Sequence, residues 1–547
     1  MKNNAIRVIS SSGVVFCCLT SIAIAQQPGG GYSTPIITRP DQNVPGAASF
    51  QSRLDPDTIP EDALPARTWN IVPRVRLTET FTDNVNLTAT DKQSDFITGL
   101  APGVRINANT ARLSMFFDYQ LVGYIYAKNS EDSNFQNYLN TFGTLEAVDN
   151  WLFLDFGGYV TQQTISPFGT QSVSNANNNN NRTQTQTYRL SPYIRGQLGG
   201  DVAEYMFRYN AATTRSGNDS ISNVDISQWI GQIRGGSPFK NLAWTIDGSQ
   251  QTTDFSLGRS YDDARLRAIL TYQLLPQLRV SGSGGEESNN YITPDTENYT
   301  TYGYGLDWRP TDRTIVAGFQ EKRFFGYGHN FNLSHRFPLS SIQYTDVKDV
   351  AFIPNDYATT GQGALYDQYF ELFSNQIPDP VARAAYVNNL LNQSGGGTNV
   401  ANTQTVNGYL SNRPQLRRTQ QLSLVLYGSR NSVTFRGTRI SDEVLSVLGG
   451  TESPTNSFSK VIQNGYSINF AHRLSPLTSL NMLGLYQTND APSSPSLDNT
   501  LRMLQVGVSS QLGKNAFATL NARRSIYSSD SNPYNENAVS ASLIFTF

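Results

Sequence analysis

The chain predicts an all-β fold: a transmembrane antiparallel β-barrel of about 22 strands, within a range of 20–24, with short turns at one end and long loops at the other. Three observations lead there. Period-2 alternation of apolar and polar residues recurs along most of the sequence. About ten tight turn clusters punctuate it, and each one joins a pair of strands. The composition is polar without being charged, as expected of a wall that faces lipid on one side and water on the other.

Charged residues make up 15% of the 547, well below the usual quarter of a globular domain. Mean hydropathy is nevertheless −0.39, so the polarity comes from Asn, Gln, Ser, Thr, Gly and Tyr. Tyr and Phe number 28 each against 5 Trp, which suits aromatic girdles at two membrane interfaces. The formal net charge of −2 argues for neither a nucleic-acid partner nor an anionic-lipid one.

Alternation is clear at Leu113-Met115-Phe117-Tyr119-Leu121 against Ser114-Asp118-Gln120. It returns at Leu152-Leu154-Phe156, at Tyr466-Ile468-Phe470 and at Ala516-Ala518-Leu520-Ala522. The expected turns are Asn107 to Asn109, Asp149-Asn150, Gly199-Gly200, Gly236 to Pro238 and Leu275-Pro276 in the first half. In the second half they are Arg309-Pro310-Thr311-Asp312, Phe337-Pro338-Leu339, Ser429-Arg430-Asn431, Ser475-Pro476-Leu477 and Gly513-Lys514-Asn515. Ten turns with both ends of the barrel on one side give about 22 strands, an even number. Longer polar loops sit between them, including the run Asn175 to Asn181.

Residues 1–25 read as a secretory signal peptide, with Lys2 and Arg7 ahead of an apolar core and Ala23-Ile24-Ala25 as a small-x-small cleavage site. Both cysteines, Cys17 and Cys18, would leave with it, so no disulfide or cysteine metal site is expected afterwards. Residues 26–68 are rich in Pro and Gly and lack periodicity, as a disordered periplasmic lead-in would. The barrel is expected over 69–547, with 350–415 a long loop that is either extracellular or folded into the pore. A short helix is expected around 381–391 of that insert, and loops of this length are usually functional or disordered. The deletion of 356–406 is expected to raise conductance if the insert lies inside.

The final strand carries Val539, Ala541, Leu543, Phe545 and Phe547 on one parity and Ser540, Ser542 and Thr546 on the other. It resembles the recognition strand of Gram-negative outer-membrane barrels, which makes Phe545 and Phe547 the expected assembly signal. Elsewhere, Thr80-Phe81-Thr82-Asp83-Asn84-Val85-Asn86-Leu87, Ser94-Asp95-Phe96-Ile97-Thr98 and Ala101-Pro102-Gly103-Val104 form one group of motifs. Trp308-Arg309-Pro310-Thr311-Asp312-Arg313-Thr314, Glu321-Lys322-Arg323-Phe324-Phe325-Gly326, Leu333-Ser334-His335-Arg336 and Ser429-Arg430-Asn431-Ser432 form another. Together they resemble the PEP-CTERM system-associated outer-membrane barrels across nearly the whole mature chain. The resemblance implies an outer-membrane barrel tied to exopolysaccharide and protein-sorting systems, with a part in polymer export and no catalytic residues. Read structurally, Arg309 to Asp312 make a turn and Arg323 to Gly326 a tight extracellular hairpin.

No enzyme is expected. His472 shares parity with Phe470 at the lipid-facing periplasmic rim, His335 precedes a turn, and His329 has no Ser-His-acid spacing around it. No His/Cys spacing suits a metal, and no glycine cluster joins a strand to a helix as a phosphate loop does. No cofactor is expected.

Parity places Arg74, Arg76, Arg105, Arg195, Arg265, Arg267, Arg279 and Arg523 on the lumen side, with Glu204, Arg208, Asp118 and Asp155. Two readings stay open for this lining: mutual neutralisation that stiffens the wall, or a basic stripe that concentrates anions. TonB-dependent transporters share the strand number but carry a large plug ahead of the barrel, where this chain has only a short Pro-rich segment. The expected function is a passive outer-membrane conduit for an exopolysaccharide or another polymer. The alternative is a structural or adhesin-like barrel binding a surface component through its loops. The expected partners are outer-membrane lipid, the barrel assembly machinery and a polysaccharide or small anionic solute, with no nucleic acid and a monomeric state.

Overall fold

The structure is a computed structural model and describes residues 69–199, 202–236, 241–351, 372–373, 387, 409–411, 413–445 and 458–547. The signal peptide, the 26–68 lead-in and most of the 350–415 insert lie outside the described residues.

Twenty-two strands follow one another along the chain. The first eleven are β1 (Trp69–Thr82), β2 (Asp95–Asn109), β3 (Leu113–Tyr126), β4 (Asn134–Val148), β5 (Leu152–Thr164), β6 (Arg182–Leu198), β7 (Ala203–Ser216), β8 (Val224–Gly236), β9 (Leu242–Phe255), β10 (Ser260–Leu275) and β11 (Leu278–Asn289). The rest are β12 (Glu297–Thr311), β13 (Thr314–Arg323), β14 (Gly326–Arg336), β15 (Ser340–Ala351), β16 (Gln415–Tyr427), β17 (Asn431–Val444), β18 (Lys460–Arg473), β19 (Thr478–Asp490), β20 (Asn499–Gln511), β21 (Ala516–Ser528) and β22 (Tyr534–Thr546). Each pairs antiparallel with its chain neighbours, and β1 pairs with β22 from Arg74↔Thr546 to Thr82↔Ala538. The sheet therefore closes without a free edge, the condition for a β structure in lipid, where unpaired N–H and C=O groups find no water.

Period-2 alternation sorts the two faces. On β1, Trp69, Ile71, Leu77 and Phe81 are exposed on the outer surface, as are Val539, Leu543 and Phe545 on β22. The intervening Thr78 and Thr82 point inward and bond to Ser542 (2.9 Å) and Glu536 (2.9 Å). An apolar exterior around a polar interior makes this closed sheet a transmembrane barrel of the outer-membrane type.

The ten expected turns account for the ten connections at the end where β1 begins and β22 ends, with small adjustments. Asn107 to Asn109 stay in the ladder, because Asn107 pairs with both Asn70 and Phe116. The turn itself is 110–112, where the Thr110 hydroxyl accepts the Leu113 N–H (2.9 Å). Similarly, β12 runs on through Thr311 across a register shift, which leaves Asp312-Arg313 as the turn. Gly236 ends β8, and 237–240 lie outside the described residues. At the other end, Arg323 to Gly326 make a two-residue hairpin in which Gly326 takes a φ of +99°, a conformation only glycine adopts without strain.

Phe547 donates its backbone N–H to the Pro73 carbonyl (2.9 Å), and its ring is 73% exposed at the outer periplasmic rim beside Phe545. Deleting Phe547 removes one rung of the closing seam and the terminal ring. The expected outcome is a lower yield of heat-modifiable, folded barrel in cells, measured by gel migration. Phe117 shares the outer face with Tyr119 and Leu121, whereas Asp118 and Gln120 face the lumen. Phe117→Arg is expected to destabilise the barrel by about 2–4 kcal/mol in reversible unfolding from lipid. Gln120→Glu, beside the inward Arg74, is expected to be far milder.

Candidate functional site in the barrel interior

The inward arginines meet carboxylates from neighbouring strands. Asp118 on β3 takes Arg74 from β1 and Arg105 from β2, the latter at 3.0 Å, and Arg76 lies two residues beyond Arg74 on the same face. Arg267 on β10 is fully buried between Asp247 on β9 (2.5 Å) and Glu321 on β13 (3.2 Å), and Glu321 also accepts from Arg265 (3.4 Å). Arg523 pairs with Glu536 (3.0 Å). Arg279 faces the lumen in register with Asp307, and Arg195 stacks 4.5 Å over the Phe153 ring. The Glu204–Arg208 proximity read from the sequence resolves differently. Arg208 pairs with Asp155 on β5, and Glu204 accepts from Arg234 on β8 (2.6 Å), because cross-strand neighbours lie closer than residues four apart on one strand.

The signature Arg323 belongs to the same network. Its guanidinium reaches Glu287 on β11 (2.5 Å) and Asp349 on β15, tying three strands together under the Phe324-Phe325 hairpin. The acids therefore sit in the wall itself, and the lining is a lattice of ion pairs rather than an unbroken basic stripe. Such pairs are weak where water reaches them and costly to break where it does not.

A second feature was not read from the sequence. The inner face of β3–β6 is aromatic. Phe116 stacks on Phe142 (5.2 Å, 24°) and Phe153 on Tyr193 (5.1 Å, 15°), with Arg208 4.4 Å over Tyr193. Tyr124, Tyr126 and Tyr138 continue the ring-lined surface toward the extracellular end. Elsewhere the inward positions are largely Ser, Thr, Asn and Gln, such as Asn210, Gln228, Thr253, Gln463 and Gln487.

A third feature lies at the mouth. The 165–181 loop between β5 and β6 crosses the interior to the strands that end the chain. Tyr534 donates to the Gln171 carbonyl (2.5 Å) and Tyr527 to the Gly169 carbonyl (2.9 Å). Asn489 and Asn499 both donate to the Pro167 carbonyl at 3.0 Å, and Asn177 donates to Glu536 (2.7 Å). On its near side, Tyr126 donates to the Ala176 carbonyl (2.8 Å), and the Asn175 amide donates to the Tyr138 hydroxyl (2.6 Å).

Three apolar residues of this loop dock separately. Phe168 joins Tyr409, Val461, Ala491 and Phe458; Val173 packs on Leu87, Leu501, Tyr527 and Tyr534; Ala176 packs on Val85, Ile97 and Tyr126. The Asp83 to Leu87 motif is thus a second inward loop that braces the first, and the Asn178 N–H donates to the Val85 carbonyl (3.0 Å). Of the Asn175 to Asn181 run, expected among the surface loops, Asn177 reaches in to Glu536, Asn179 and Asn181 satisfy the Thr170 and Ser166 carbonyls of their own loop, and Asn178 and Asn180 stay exposed.

The 350–415 insert contributes at the few positions described. Leu410 donates its N–H to the Thr164 carbonyl (3.2 Å), and burial pushes the Tyr409 hydroxyl well above its ordinary pKa. Phe373 packs edge-on against Tyr427 (5.0 Å, 87°), at the periplasmic end of β16 on the face shared with the buried Ser423 and Val425. The insert therefore enters the lumen at Phe373, although it leaves the wall at the extracellular end of β15. Val387 is helical and buried, and the remainder of the 381–391 helix expected from sequence lies outside the described residues.

The histidines stand apart from this interior. His472 bonds Asn431 (2.6 Å) and His335 bonds Thr314 (2.8 Å), both at the periplasmic rim. His329 bonds Asp346 (2.9 Å) on the outer face.

No family model and no curated protein matches this sequence. Comparison with solved structures finds outer-membrane barrels at very low identity. The siderophore receptor PirA from Pseudomonas aeruginosa is 9% identical, with a TM-score of 0.40 over 87% of this chain and 80% of that one. OprD from the same organism is 7% identical, with a TM-score of 0.31 over 87% and 95%. The ferric-catecholate import receptor Fiu from E. coli K12 is 7% identical, with a TM-score of 0.44 over 87% and 81%. The barrel's own closure and its apolar exterior make the chain a transmembrane β-barrel of the outer-membrane type.

Arg267→Met leaves Asp247 and Glu321 buried, with Arg265 still paired to Glu321 alone. It is expected to destabilise the barrel by about 3–5 kcal/mol, read as a lowered urea midpoint, with a smaller loss for the partly wetted Arg105→Met.

Proposed function

We propose that this outer-membrane pore is a gated conduit for a polysaccharide, in keeping with the exopolysaccharide-associated barrels it resembles. The observation that carries this reading is the aromatic inner face of β3–β6 lying under the 165–181 loop. A pyranose presents apolar C–H faces and a rim of hydroxyls. Stacked rings suit the faces, and the Ser, Thr, Asn and Gln of the remaining wall suit the rim. Above these rings the loop acts as a polar chain would, its carbonyls taking the hydroxyl hydrogens of Tyr126, Tyr527 and Tyr534. Displacing it exchanges one set of hydrogen bonds for another, so opening is driven by cargo or by a periplasmic partner rather than by new covalent chemistry. No step needs a cofactor.

The ion-pair lattice holds the wall in shape while the loops move, since each buried arginine is fixed by acids on other strands. The alternative, an adhesin-like barrel, would use long polar loops at the surface, whereas Asn177 of the Asn-rich run reaches inside to Glu536.

Purified protein in planar bilayers tests the reading. Deleting 169–178 is expected to raise open conductance several-fold while leaving heat-modifiable folding intact. In that variant, maltoheptaose is expected to block the current for longer than a polyethylene glycol of equal hydrodynamic size. Phe116→Ala with Phe142→Ala is expected to shorten the sugar blocks about tenfold, a loss of about 1.4 kcal/mol. Equal block times for sugar and polymer would contradict the conduit assignment.

A further inference from the structure

The outer face of β13–β21 carries cations at one height. Lys322 lies eight residues beyond Thr314, Lys348 eight beyond Ser340, Arg439 eight beyond Asn431 and Arg524 eight beyond Ala516, each counted from the periplasmic start of its strand. Arg418 lies nine residues before Tyr427 and Arg502 nine before Gln511, counted from the periplasmic ends of descending strands. At about 3.3 Å per residue and a tilt of about 40°, this height is about 20–23 Å above the periplasmic turns. The apolar band of such barrels is about 25 Å tall, so the cations sit at its upper edge.

Their outward direction follows from the ladder. Lys322 pairs with Tyr327 and lies 5.5 Å from the exposed Tyr302 ring, and Arg502 lies 5.7 Å from Tyr486. Beneath them on the same face are lipid-facing residues such as Leu426, Ile468, Leu504 and Leu520.

One row concentrates the charge. His329, Lys348 and Arg418 are direct cross-strand neighbours on β14, β15 and β16. Asp346 partly offsets them, accepting from Arg418 (2.6 Å) and meeting His329 (2.9 Å), with Gln420 and Tyr344 also on its carboxylate. Lys348, its ammonium 5.8 Å over the Phe325 ring, stands directly opposite Arg418, and like charges so placed are destabilising. Further out on the strands, Lys460 and Glu443 offset each other (3.9 Å), and Asp490 lies above Arg439 on the neighbouring strands. The arc on the other side of β12 reverses the sign. Asp225, Asp254, Asp262 and Glu286 face outward on β8–β11, with Arg215 already paired to Asp225 (2.8 Å).

We propose that this belt, centred on Lys348, Arg418 and Arg439, binds the phosphates of a phosphorylated glycolipid headgroup in the outer leaflet. The height selects the outer leaflet, and the spread over adjacent strands about 4.8 Å apart suits a headgroup with more than one phosphate. Clustered cations beside a bilayer add attraction for each phosphate they meet. Among the described residues the outward cations at this height lie along β13–β21, so the lipid marks one side of the barrel.

The test uses the full-length barrel in detergent and measures lipid retention by native mass spectrometry. Three probes are titrated: lipopolysaccharide with bisphosphorylated lipid A, the same material enzymatically dephosphorylated, and phosphatidylglycerol. Wild-type protein is expected to retain the bisphosphorylated form at least tenfold more tightly than either other probe. The triple variant K348Q/R439Q/R502Q is expected to lose most of that preference, and R439K/R502K to keep it. Neutralising the acidic arc with D225N/D254N/D262N is expected to change nothing. Heat-modifiable migration confirms that each barrel is folded before it is compared. Equal retention of phosphorylated and dephosphorylated lipid, equal retention of phosphatidylglycerol, or a triple variant that binds like wild type would each overturn the assignment.

Discussion

Everything in this molecule depends on the β1–β22 seam. In hydrocarbon an unpaired backbone N–H or C=O has no partner, so a sheet must close on itself to cross the membrane. The seam runs from Arg74↔Thr546 to Thr82↔Ala538, with Phe547 adding a last bond to Pro73. Closure then fixes which parity of every strand meets lipid. Once Leu543 and Phe545 face out, Ser542 must face in against Thr78. The same alternation propagates through all 22 strands.

A wall this wide encloses more space than its own side chains can fill. Two devices occupy it. The ion pairs are local and join adjacent or nearby strands, as Arg323 does for β11, β13 and β15. The loops are long-range: 165–181 spans from β5 and β6 to β19–β22, and Phe373 reaches the periplasmic end of β16. Glu536 belongs to both, because it accepts from Thr82, from Arg523 and from Asn177 of the loop. A movement of the loop is therefore felt at the seam-side wall, and the wall's integrity does not require the loop to stay.

The strands were legible because period 2 survives in residues such as Phe117, Asp118 and Tyr119, whose chemistry alternates with the face. The turns were legible because Pro276, Pro338 and Pro476 cannot continue a ladder. The direction of the arginines followed from the same parity. Their partners did not, since Arg208 could reach Glu204 or Asp155, and only the register between β5, β6 and β7 decides. The inward loops were hidden for a different reason. Their partners lie more than 300 positions away, as Pro167 does from Asn489 and Asn499, and a polar Asn run reads as surface until its carbonyl partners are known. Phe168, Val173 and Ala176, apolar residues in a largely polar loop, were the signal available. The aromatic inner face was missed because Phe116 and Phe142 look like membrane-facing residues by type, and only their shared parity with Asp118 and Thr144 places them inside.

The central claim is that the 165–181 loop is the gate, and a reversible lock tests it most directly. Cys17 and Cys18 are the two cysteines of the sequence and both precede the first strand, so residues 69–547 are free of thiols. Asn177→Cys with Glu536→Cys then places the barrel's only two thiols on opposite sides of the loop-to-wall contact. Single-channel recordings of this variant are expected to show openings when reduced and silence when oxidised, with recovery on adding reductant. Identical conductance in the two states, with the crosslink verified by mass, would contradict the account.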